Sequence, residues 1–318
     1  MPPLFASENP LPSSERERQM DTAELLKKVR KIEIKTKGLS SDLFAGEYHS
    51  AFKGRGMSFS EVREYQFGDD IRAIDWNVTA RFNHPYIKVF EEERELTVML
   101  LLDLSPSSYF GSSGQFKNQL IAEISAVLSF AAVNNNDKVG CLLFTDKVER
   151  FIPPKKGKSH ILLIVREILG FEGKGSGTNI GDALQYFNGV IKKRSIAFLF
   201  SDFIDDGYET PLRIAARKHD LIGVHVHDVR EREIPRMGLV RLRDPETSRE
   251  RWVDTDSEAV RNHYTAHYDQ NLARFSRLFR QVGSDVISVD SSIADEKIRQ
   301  RRYLQTLHSF FRRRDSRR

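Results

Sequence analysis

One apolar run constrains the fold more than any other part of the sequence: LTVMLLLD, at residues 96–103. A continuous apolar run of this length, bounded by turn residues, is typical of a strand buried on both faces of a sheet. Apolar runs of strand length then alternate with segments of helical spacing as far as residue 292. Such alternation predicts an α/β fold, with a mostly parallel sheet and helices on both of its faces.

The same periodicity gives positions for the individual elements. A helix is predicted at 21–36, and a hairpin at 238–256 that turns at DPET. Strands are predicted at 96–103, 137–145, 195–202, 221–228 and 285–292. Helices are predicted at 116–135, 158–171, 179–193, 209–220 and 257–281, and again after residue 292.

Changes of composition divide the chain into four parts. Residues 1–20 are rich in Pro, Ser and Glu and are predicted to be disordered. Residues 21–95 are predicted to form a small N-terminal β-rich module of short strands and turns, in which we expect Trp76 to be buried. Residues 96–292 form the predicted α/β domain, and residues 293–318 a basic C-terminal helix or tail.

The overall composition predicts a cytoplasmic globular protein. Hydrophobic residues make up 39% of the chain and charged residues 30%, which is compatible with a packed core. No apolar run approaches the roughly 18 residues that a membrane span needs, and the first twenty residues lack the pattern of a signal peptide. The single cysteine, Cys141, excludes an internal disulfide.

Side chains that carry oxygen follow the ends of the predicted strands. Asp103 ends the first strand, and Ser105 and Ser107 follow at alternate positions, which in an extended loop point to one side. Thr178 lies on a glycine-flanked loop before a helix, and Asp202 ends another apolar strand. Ligands bind beyond the carboxyl ends of parallel strands, and if the strand of Asp202 neighbours the first strand, these groups reach the same edge of the sheet. Such oxygens suit Mg²⁺, with Mn²⁺ or Ca²⁺ as alternatives.

Three short motifs, DLSPS, GTNIGDAL and FLFSD, resemble the metal-ion-dependent adhesion site of von Willebrand factor A domains. Two longer segments resemble the signature of the bacterial family called domain of unknown function 58. They are GRGMSFSEVREYQFGDDIRAIDWNVTARFNHPYIKVFEEERE at 54–95 and IPRMGLVRLRDPET at 234–247. The resemblance covers roughly residues 30–290. It implies a Rossmann-like von Willebrand A domain that follows the N-terminal module.

The resemblance also implies a metal site and a function. The two serines of such sites bind the ion directly, the other residues bind it directly or through water, and an open position accepts an acidic side chain of a partner protein. The implied function is a non-enzymatic adaptor that works with a MoxR-like AAA+ ATPase in chaperone-like assembly or maturation of protein complexes. The implied metal ligands are Asp103, Ser105, Ser107, Thr178 and Asp202.

Departures from the family pattern leave every implied ligand in place. Pro106 stiffens the serine loop, Ser108 replaces a methionine or small residue, and Phe203 stands where a glycine is common. Ser176 and Asp205 offer spare oxygens nearby, so the ligand assignment has neighbouring alternatives.

Two other functions remain open from the sequence. A metal-dependent hydrolase would need a base near the ion, and no histidine stands on the loops of Asp103, Thr178 or Asp202. A nucleic-acid-binding protein would use the basic residues at 300–318. The simpler interpretation of that segment is a solvated helix end, where cations suit the helix dipole.

The charged residues at 54–95 have two interpretations. They could form a docking surface or an extension of the metal site, or they could pair with one another and hold a loop-rich module together. The presence of both signs favours internal pairing. The residues are Arg55, Arg63, Arg72, Arg81, Asp69, Asp70, Asp75 and Glu91 to Glu93.

Other candidate sites are weaker. His225 and His227 share one strand face, but a zinc site needs more ligands than these two. Cys141 lies within an apolar strand, where a buried thiol is expected rather than a nucleophile. The GKGSG segment at 173–177 lacks the Gly-Lys-Ser/Thr of a phosphate loop, so its glycines are better explained by a tight turn.

Overall fold

A computed structural model describes residues 22–37, 42–52, 57–92, 95–112, 116–243, 246 and 249–317. The predicted disorder of residues 1–20 lies outside this part of the chain. The strands are β1 Met57–Glu64, β2 Tyr86–Glu92, β3 Thr97–Asp103, β4 Lys138–Phe144, β5 Val148–Lys155, β6 Ile196–Ser201, β7 Asp220–His227, β8 Leu239–Arg243, β9 Glu250–Asp254 and β10 Asp285–Asp290. The helices are α1 Thr22–Lys37, α2 Asp42–Phe52, α3 Trp76–Phe82, α4 Lys117–Asn134, α5 Lys158–Leu169, α6 Ile180–Val190, α7 Glu209–Lys218, α8 Val229–Arg232, α9 Glu258–Gln281 and α10 Glu296–Asp315.

A six-stranded sheet in the order β10-β7-β6-β3-β4-β5 organises the molecule. All neighbouring strands are parallel except the edge pair β4 and β5. If the six strands are numbered along the chain from β3 and counted from the β5 edge, this is the 3-2-1-4-5-6 order of doubly wound folds. In such folds the strand order changes direction beside the first strand. The predicted fold class is therefore confirmed, and β3 lies at the position where ligands bind in such folds.

The edge strand β5 is absent from the predicted elements. It contains Pro153 and Pro154, which cannot donate to a hydrogen-bond ladder and so argue against a strand in the interior of a sheet. At an edge only one side of the strand is paired, and its register with β4 is irregular near these prolines. Pro153 and Pro154 are therefore compatible with a strand at the edge of the sheet but not in its interior.

Helices cover both faces of the sheet, as predicted. One buried cluster joins the sheet to α4 and α5 and also includes side chains of α1, α2 and α10, among them Val29, Tyr48, Phe52 and Phe311. The other joins the sheet to α6, α7 and α9. The first two helices thus contribute to the core of the α/β domain. The sequence analysis instead assigned residues 21–95 to a separate module, and those domain limits stay a prediction.

Residues 57–92, here called the hairpin segment, form a different kind of structure. Strands β1 and β2 pair antiparallel with a bulge, and a short 3-10 helix and α3 lie between them. Asp75 caps α3 by accepting from the backbone N–H of Asn77 at 2.9 Å. Trp76 is 68% exposed, so the expectation that it is a buried anchor was wrong.

The last helix packs through residues that the sequence showed only as a basic tail. Arg314 pairs with Asp220 and lies against the ring of Phe52, at 4.8 Å from its centroid. Arg312 pairs with Glu47 at 2.9 Å. Arg312 and Arg314 are therefore held in ion pairs with other parts of the fold. None of the helices in the described part of the chain is long and apolar enough to cross a membrane.

Candidate metal centre

The candidate site lies where β3 and β6 end side by side. These two strands are parallel neighbours, with Leu102 opposite Phe200. Asp103 is the last residue of β3, and Asp202 directly follows β6, so both carboxylates lie at the same edge of the sheet. The five predicted ligands, here called the rim, are Asp103, Ser105, Ser107, Thr178 and Asp202.

The serine loop turns more tightly than an extended loop. A 3-10 helix begins at Pro106, and the N–H of Ser108 donates to the carbonyl of Ser105 at 2.9 Å. The N–H of Ser105 donates to Asp103 Oδ1 at 3.0 Å, which fixes the start of the turn. As a result the hydroxyl oxygens of Ser105 and Ser107 lie 3.1 Å apart. The two hydroxyls converge as predicted, but a 3-10 turn brings them together instead of an extended loop.

The second carboxylate reaches the serine loop directly. Ser107 Oγ donates to Asp202 Oδ2 at 2.9 Å, and Ser201 Oγ donates to Asp103 Oδ2 at 2.6 Å. Phe203 adopts a left-handed backbone conformation with φ of 57°, and its N–H donates to Ser201 Oγ at 3.0 Å. A non-glycine residue rarely adopts this conformation, and such strain is common at functional sites. It turns the chain sharply just after Asp202.

The glycine-rich loop that carries Thr178 is held against the end of β4. A Cβ atom at Gly175 would lie 2.0 Å from Asp146 Oδ1 and 2.1 Å from Thr145 Oγ1, so this position has no room for a side chain. The N–H groups of Lys174 and Gly175 both donate to Glu149 Oε1 at 2.9 Å. Close packing against Thr145 and Asp146 therefore explains the glycine at position 175, and the tight turn expected of GKGSG stays a prediction.

The loop of Thr178 lies at the edge of the sheet where β3, β4 and β6 end. Next to it, the N–H of Asn179 donates to the carbonyl of Thr145 at 2.9 Å, and the N–H of Ile180 donates to Asp205 Oδ2 at 2.8 Å. These contacts join its loop to the ends of β4 and β6, on either side of β3. The hydroxyl of Thr178 donates to Glu246 Oε1 at 2.8 Å. Asp205, an alternative ligand in the sequence analysis, thus supports the loop of Thr178.

A buried lysine and a glutamate complete the charges of the site, and the sequence analysis missed both. Lys117, the first residue of α4, is 2% exposed. Its ammonium donates to Asp202 Oδ2 at 2.9 Å and to Glu231 Oε1 at 2.5 Å. The other oxygen of Glu231 accepts from the N–H of Asp228 at 2.9 Å in a capping box of α8. One signal was available: a lysine is unfavourable at a helix N-terminus, so a first-turn lysine before an apolar helix indicates nearby carboxylates.

The carboxylates are crowded enough to shift one another's protonation. Burial, together with the charge of Asp202, raises the pKa of Asp103 to about 7. Burial opposes ionisation of Asp202 as well, but the Lys117 ammonium outweighs it and lowers the pKa of Asp202. Burial also raises the pKa of Glu231. For Lys117, burial lowers the pKa, and the charges of Asp202 and Glu231 outweigh that effect and raise it. Three carboxyl groups thus share the site with one ammonium.

The donor set fits a small hard divalent ion. Adjacent oxygen ligands of an octahedral ion at about 2.1 Å lie about 3.0 Å apart. The separations from Ser105 Oγ to Ser107 Oγ and from Ser107 Oγ to Asp202 Oδ2 are 3.1 and 2.9 Å. In the described residues no group of three or more His, Cys, Asp or Glu side chains is arranged to hold a metal. Any ion here would therefore rely on hydroxyls as much as on carboxylates, as Mg²⁺ can.

The other candidates behave as ordinary structural residues. His225 and His227 stack with ring centroids 4.9 Å apart, and each shares the hydroxyl of Ser288. Burial lowers the pKa of His225 to about 3, so this imidazole is neutral near pH 7. Cys141 is fully buried, as expected, and burial raises the pKa of its thiol.

The charges of the hairpin segment pair only in part. Arg63 and Asp69 form a two-bond ion pair with both distances at 2.8 Å, and Lys88 lies 3.3 Å from Asp75. Within the described residues, neither Arg72 nor Arg81 has an ion-pair partner. Arg55 and Glu93 lie outside the described residues, as do the side chains of Glu91 and Glu92.

Comparison with known proteins identifies a family. The profile of the family described as "Protein of unknown function DUF58" matches residues 61–274, more than half of the chain. "Uncharacterized protein Mb1516" of Mycobacterium bovis is 28% identical over 273 residues, which is 85% of this chain and 86% of that protein.

Two solved structures resemble the chain more distantly. The conserved hypothetical protein BatB from Bacteroides thetaiotaomicron is 15% identical, with a TM-score of 0.42, over 69% of this chain and 99% of that one. The VWA domain of SpRpn10 is 13% identical, with a TM-score of 0.34, over 62% and 89% of the two chains. Both scores are below 0.5, and the fold class follows from the strand order of the sheet.

Proposed function

Since the chain belongs to the DUF58 family, and since the Ser107 hydroxyl lies within hydrogen-bond distance of Ser105 and Asp202, we propose that it is a non-enzymatic adaptor that binds partner proteins through a divalent cation. The ion, Mg²⁺ or alternatively Mn²⁺ or Ca²⁺, would be held by Ser105 and Ser107, with Asp103, Thr178 and Asp202 bound directly or through water. An acidic side chain of the partner would take the open position. One observation carries the proposal: the contact of Ser107 Oγ with both Ser105 Oγ and Asp202 Oδ2.

The rim residues differ in burial, which defines the side from which the site is accessible. Asp103 and Ser105 are buried, whereas Ser107 and Thr178 are partly exposed. An ion bound among these oxygens would be enclosed on the side of the sheet and open toward Ser107 and Thr178. A ligand could therefore approach from that side, which supports binding of a side chain that projects from another protein.

The charge of the rim supports a cation and a modest number of direct carboxylate ligands. Both oxygens of Asp103 already accept hydrogen bonds, from the Ser105 N–H and the Ser201 hydroxyl. Asp202 accepts from Ser107 and Lys117. An ion that is bound mainly by neutral hydroxyls keeps most of its charge and gains more from an external carboxylate than a fully neutralised ion would.

The proposed partners are a MoxR-like AAA+ ATPase and client proteins that present an acidic residue, and the proposed role is chaperone-like assembly or maturation of complexes. Because such an ATPase consumes ATP, this proposal includes a cytoplasmic location. A hydrolase is less well supported, since no histidine in the described part of the chain hydrogen-bonds to a rim residue. Nucleic-acid binding is less well supported because Arg312 and Arg314 are engaged in ion pairs.

Binding of a purified MoxR-like ATPase from the same organism, measured with Mg²⁺ and with EDTA, tests the proposal. We expect binding in Mg²⁺ that is lost in EDTA and in the Ser107→Ala variant. Ser129→Ala is the matched control, because Ser129 is a buried serine that donates to the carbonyl of Ser125 inside α4, away from the rim. Binding that is equal in Mg²⁺, in EDTA and in Ser107→Ala would contradict the proposal.

A further inference from the structure

The ammonium of Lys117 is part of the electrostatics of the rim. It lies 2.9 Å from Asp202 Oδ2, the same oxygen that accepts the hydroxyl of Ser107 at 2.9 Å. A cation bound beside Ser107 would therefore share this carboxylate with a fixed positive charge. The lysine is also bonded to Glu231, so it cannot turn away without leaving two buried carboxylates unpaired.

Stability alone does not explain a lysine at this place. Lys117 begins α4, where the positive end of the helix dipole disfavours a cation. Most of the helix is buried, and most of its buried residues are apolar. Buried ion pairs can often be replaced by apolar residues with no loss of stability. A buried lysine that is held by two acids therefore calls for a role in the chemistry of the site.

The charges suggest that role. When ionised, Asp103, Asp202 and Glu231 carry three negative charges, and Lys117 carries one positive charge. A divalent ion brings this group to neutrality, and an incoming carboxylate then meets no net repulsion. Without the lysine the same loaded site would keep one negative charge. The cation would bind more tightly, and the carboxylate more weakly.

We propose that Lys117 is a specificity-determining residue of the rim, which weakens binding of the cation and thereby keeps the bound cation receptive to a partner's carboxylate. This inference rests on the proposed function and adds to it the residue that balances the two affinities. Glu231 has the opposite effect, because it adds negative charge and pairs with the lysine.

The test measures both affinities on the full chain with Mn²⁺ as the probe. Free Mn²⁺ is followed by electron paramagnetic resonance, with sodium acetate as the carboxylate and sodium chloride at equal ionic strength as its control. In the unmodified protein, acetate should tighten Mn²⁺ binding, because the coupling of two ligands is reciprocal. Lys117→Met should tighten Mn²⁺ binding about tenfold in chloride and should reduce the effect of acetate.

Matched variants separate charge from structural damage. Glu231→Gln should weaken Mn²⁺ binding and enlarge the acetate effect, and the double variant Lys117→Met/Glu231→Gln should return both toward the unmodified values. Lys218→Met should change neither, since Lys218 donates to the carbonyls of Asn188 and Ile191 instead of a rim carboxylate. Glu231→Gln gives the reverse prediction without touching the lysine, so the inference stays testable if Lys117→Met does not fold.

The outcomes distinguish this inference from the proposed function. If the unmodified protein binds no Mn²⁺, both are wrong. If it binds Mn²⁺ but Lys117→Met weakens Mn²⁺ binding and the acetate effect together, the lysine only supports the fold, and the inference alone is wrong. Opposite changes in the two quantities, reversed by Glu231→Gln, would support it.

Discussion

The rim and the hairpin segment place their side chains in opposite ways. At the rim, charged groups are buried: Asp103 and Lys117 are almost fully enclosed, and each has hydrogen-bond partners. In the hairpin segment, large apolar side chains are exposed, namely Phe67, Ile71, Trp76 and Phe82. Both arrangements depart from the usual rule that apolar residues are buried and charges are exposed.

The difference shows how each region is held in place. The rim lies at the ends of neighbouring central strands, so the packing of the sheet fixes the positions of its oxygens. The hairpin segment relies on its own pairing of β1 with β2 and on the bridge between Ile74 and Ile87. We therefore expect changes at the rim and the sheet to affect stability and cation binding, and changes in the hairpin segment to affect neither.

The largest expected difference is in stability. Phe198 is fully buried in β6 and packs edge-on against Phe52 of α2, with centroids 6.1 Å apart. Phe198→Ala should lower the free energy of unfolding by about 3–5 kcal/mol in urea titrations. Trp76→Ala should change it by no more than about 0.5 kcal/mol. A comparable loss in both variants would show that the hairpin segment packs into the fold more firmly than its exposure indicates.

The same Asp→Asn substitution should have different effects on cation binding at the rim and in the hairpin segment. Asp202→Asn removes the carboxylate that Ser107 and Lys117 both contact, and should weaken Mg²⁺ binding about a hundredfold by calorimetry. Asp69→Asn breaks the ion pair with Arg63 in the hairpin segment and should leave Mg²⁺ binding unchanged. Equal effects would mean that the ion does not bind at the rim.

A smaller effect is expected from the loop of Thr178. Gly175→Ala places a Cβ atom 2.0 Å from Asp146 Oδ1, so the loop must move. Mg²⁺ binding should weaken about tenfold if Thr178 is a ligand, because one of six positions is then displaced. Gly189→Ala is the control, since no heavy atom lies within 4 Å of an added Cβ there. Unchanged binding in Gly175→Ala would remove Thr178 from the ligand set.

The smallest effect should come from Glu246, which accepts the hydroxyl of Thr178 at 2.8 Å. Because this hydroxyl gives only its proton to Glu246, both of its lone pairs stay free for an ion, and Glu246 fixes its orientation. Glu246→Ala should therefore weaken Mg²⁺ binding by about threefold, the scale of one exposed hydrogen bond. A tighter affinity would instead indicate that Glu246 competes with the ion for Thr178.

The sequence predicted the parts of the site that strand ends determine. Asp103 and Asp202 lie at the ends of apolar runs, so both were predicted at the carboxyl ends of strands; that these two strands are neighbours comes from the sheet order. Lys117 and Glu231 could not be placed in this way. Their contact joins the start of α4 to the short α8, 114 residues later, and depends on how two loops fold over the rim.

The misjudged elements also have physical causes. Helix α2 is short and contains Gly46 within DLFAGEYHSAF, so its helical signal is weak until it packs on the core. Trp76 was expected to be buried because tryptophan gains much from burial. The local sequence does not show how much of this side chain the rest of the hairpin segment covers.

Crystals grown with Mn²⁺ test the central claim most directly, through an anomalous difference map. We expect one peak at about 2.0–2.6 Å from both Ser105 Oγ and Ser107 Oγ, with Asp202 beside it and one coordination position facing solvent or a carboxylate. A map with no peak between the two serines, or with its peak elsewhere on the molecule, would contradict the claim.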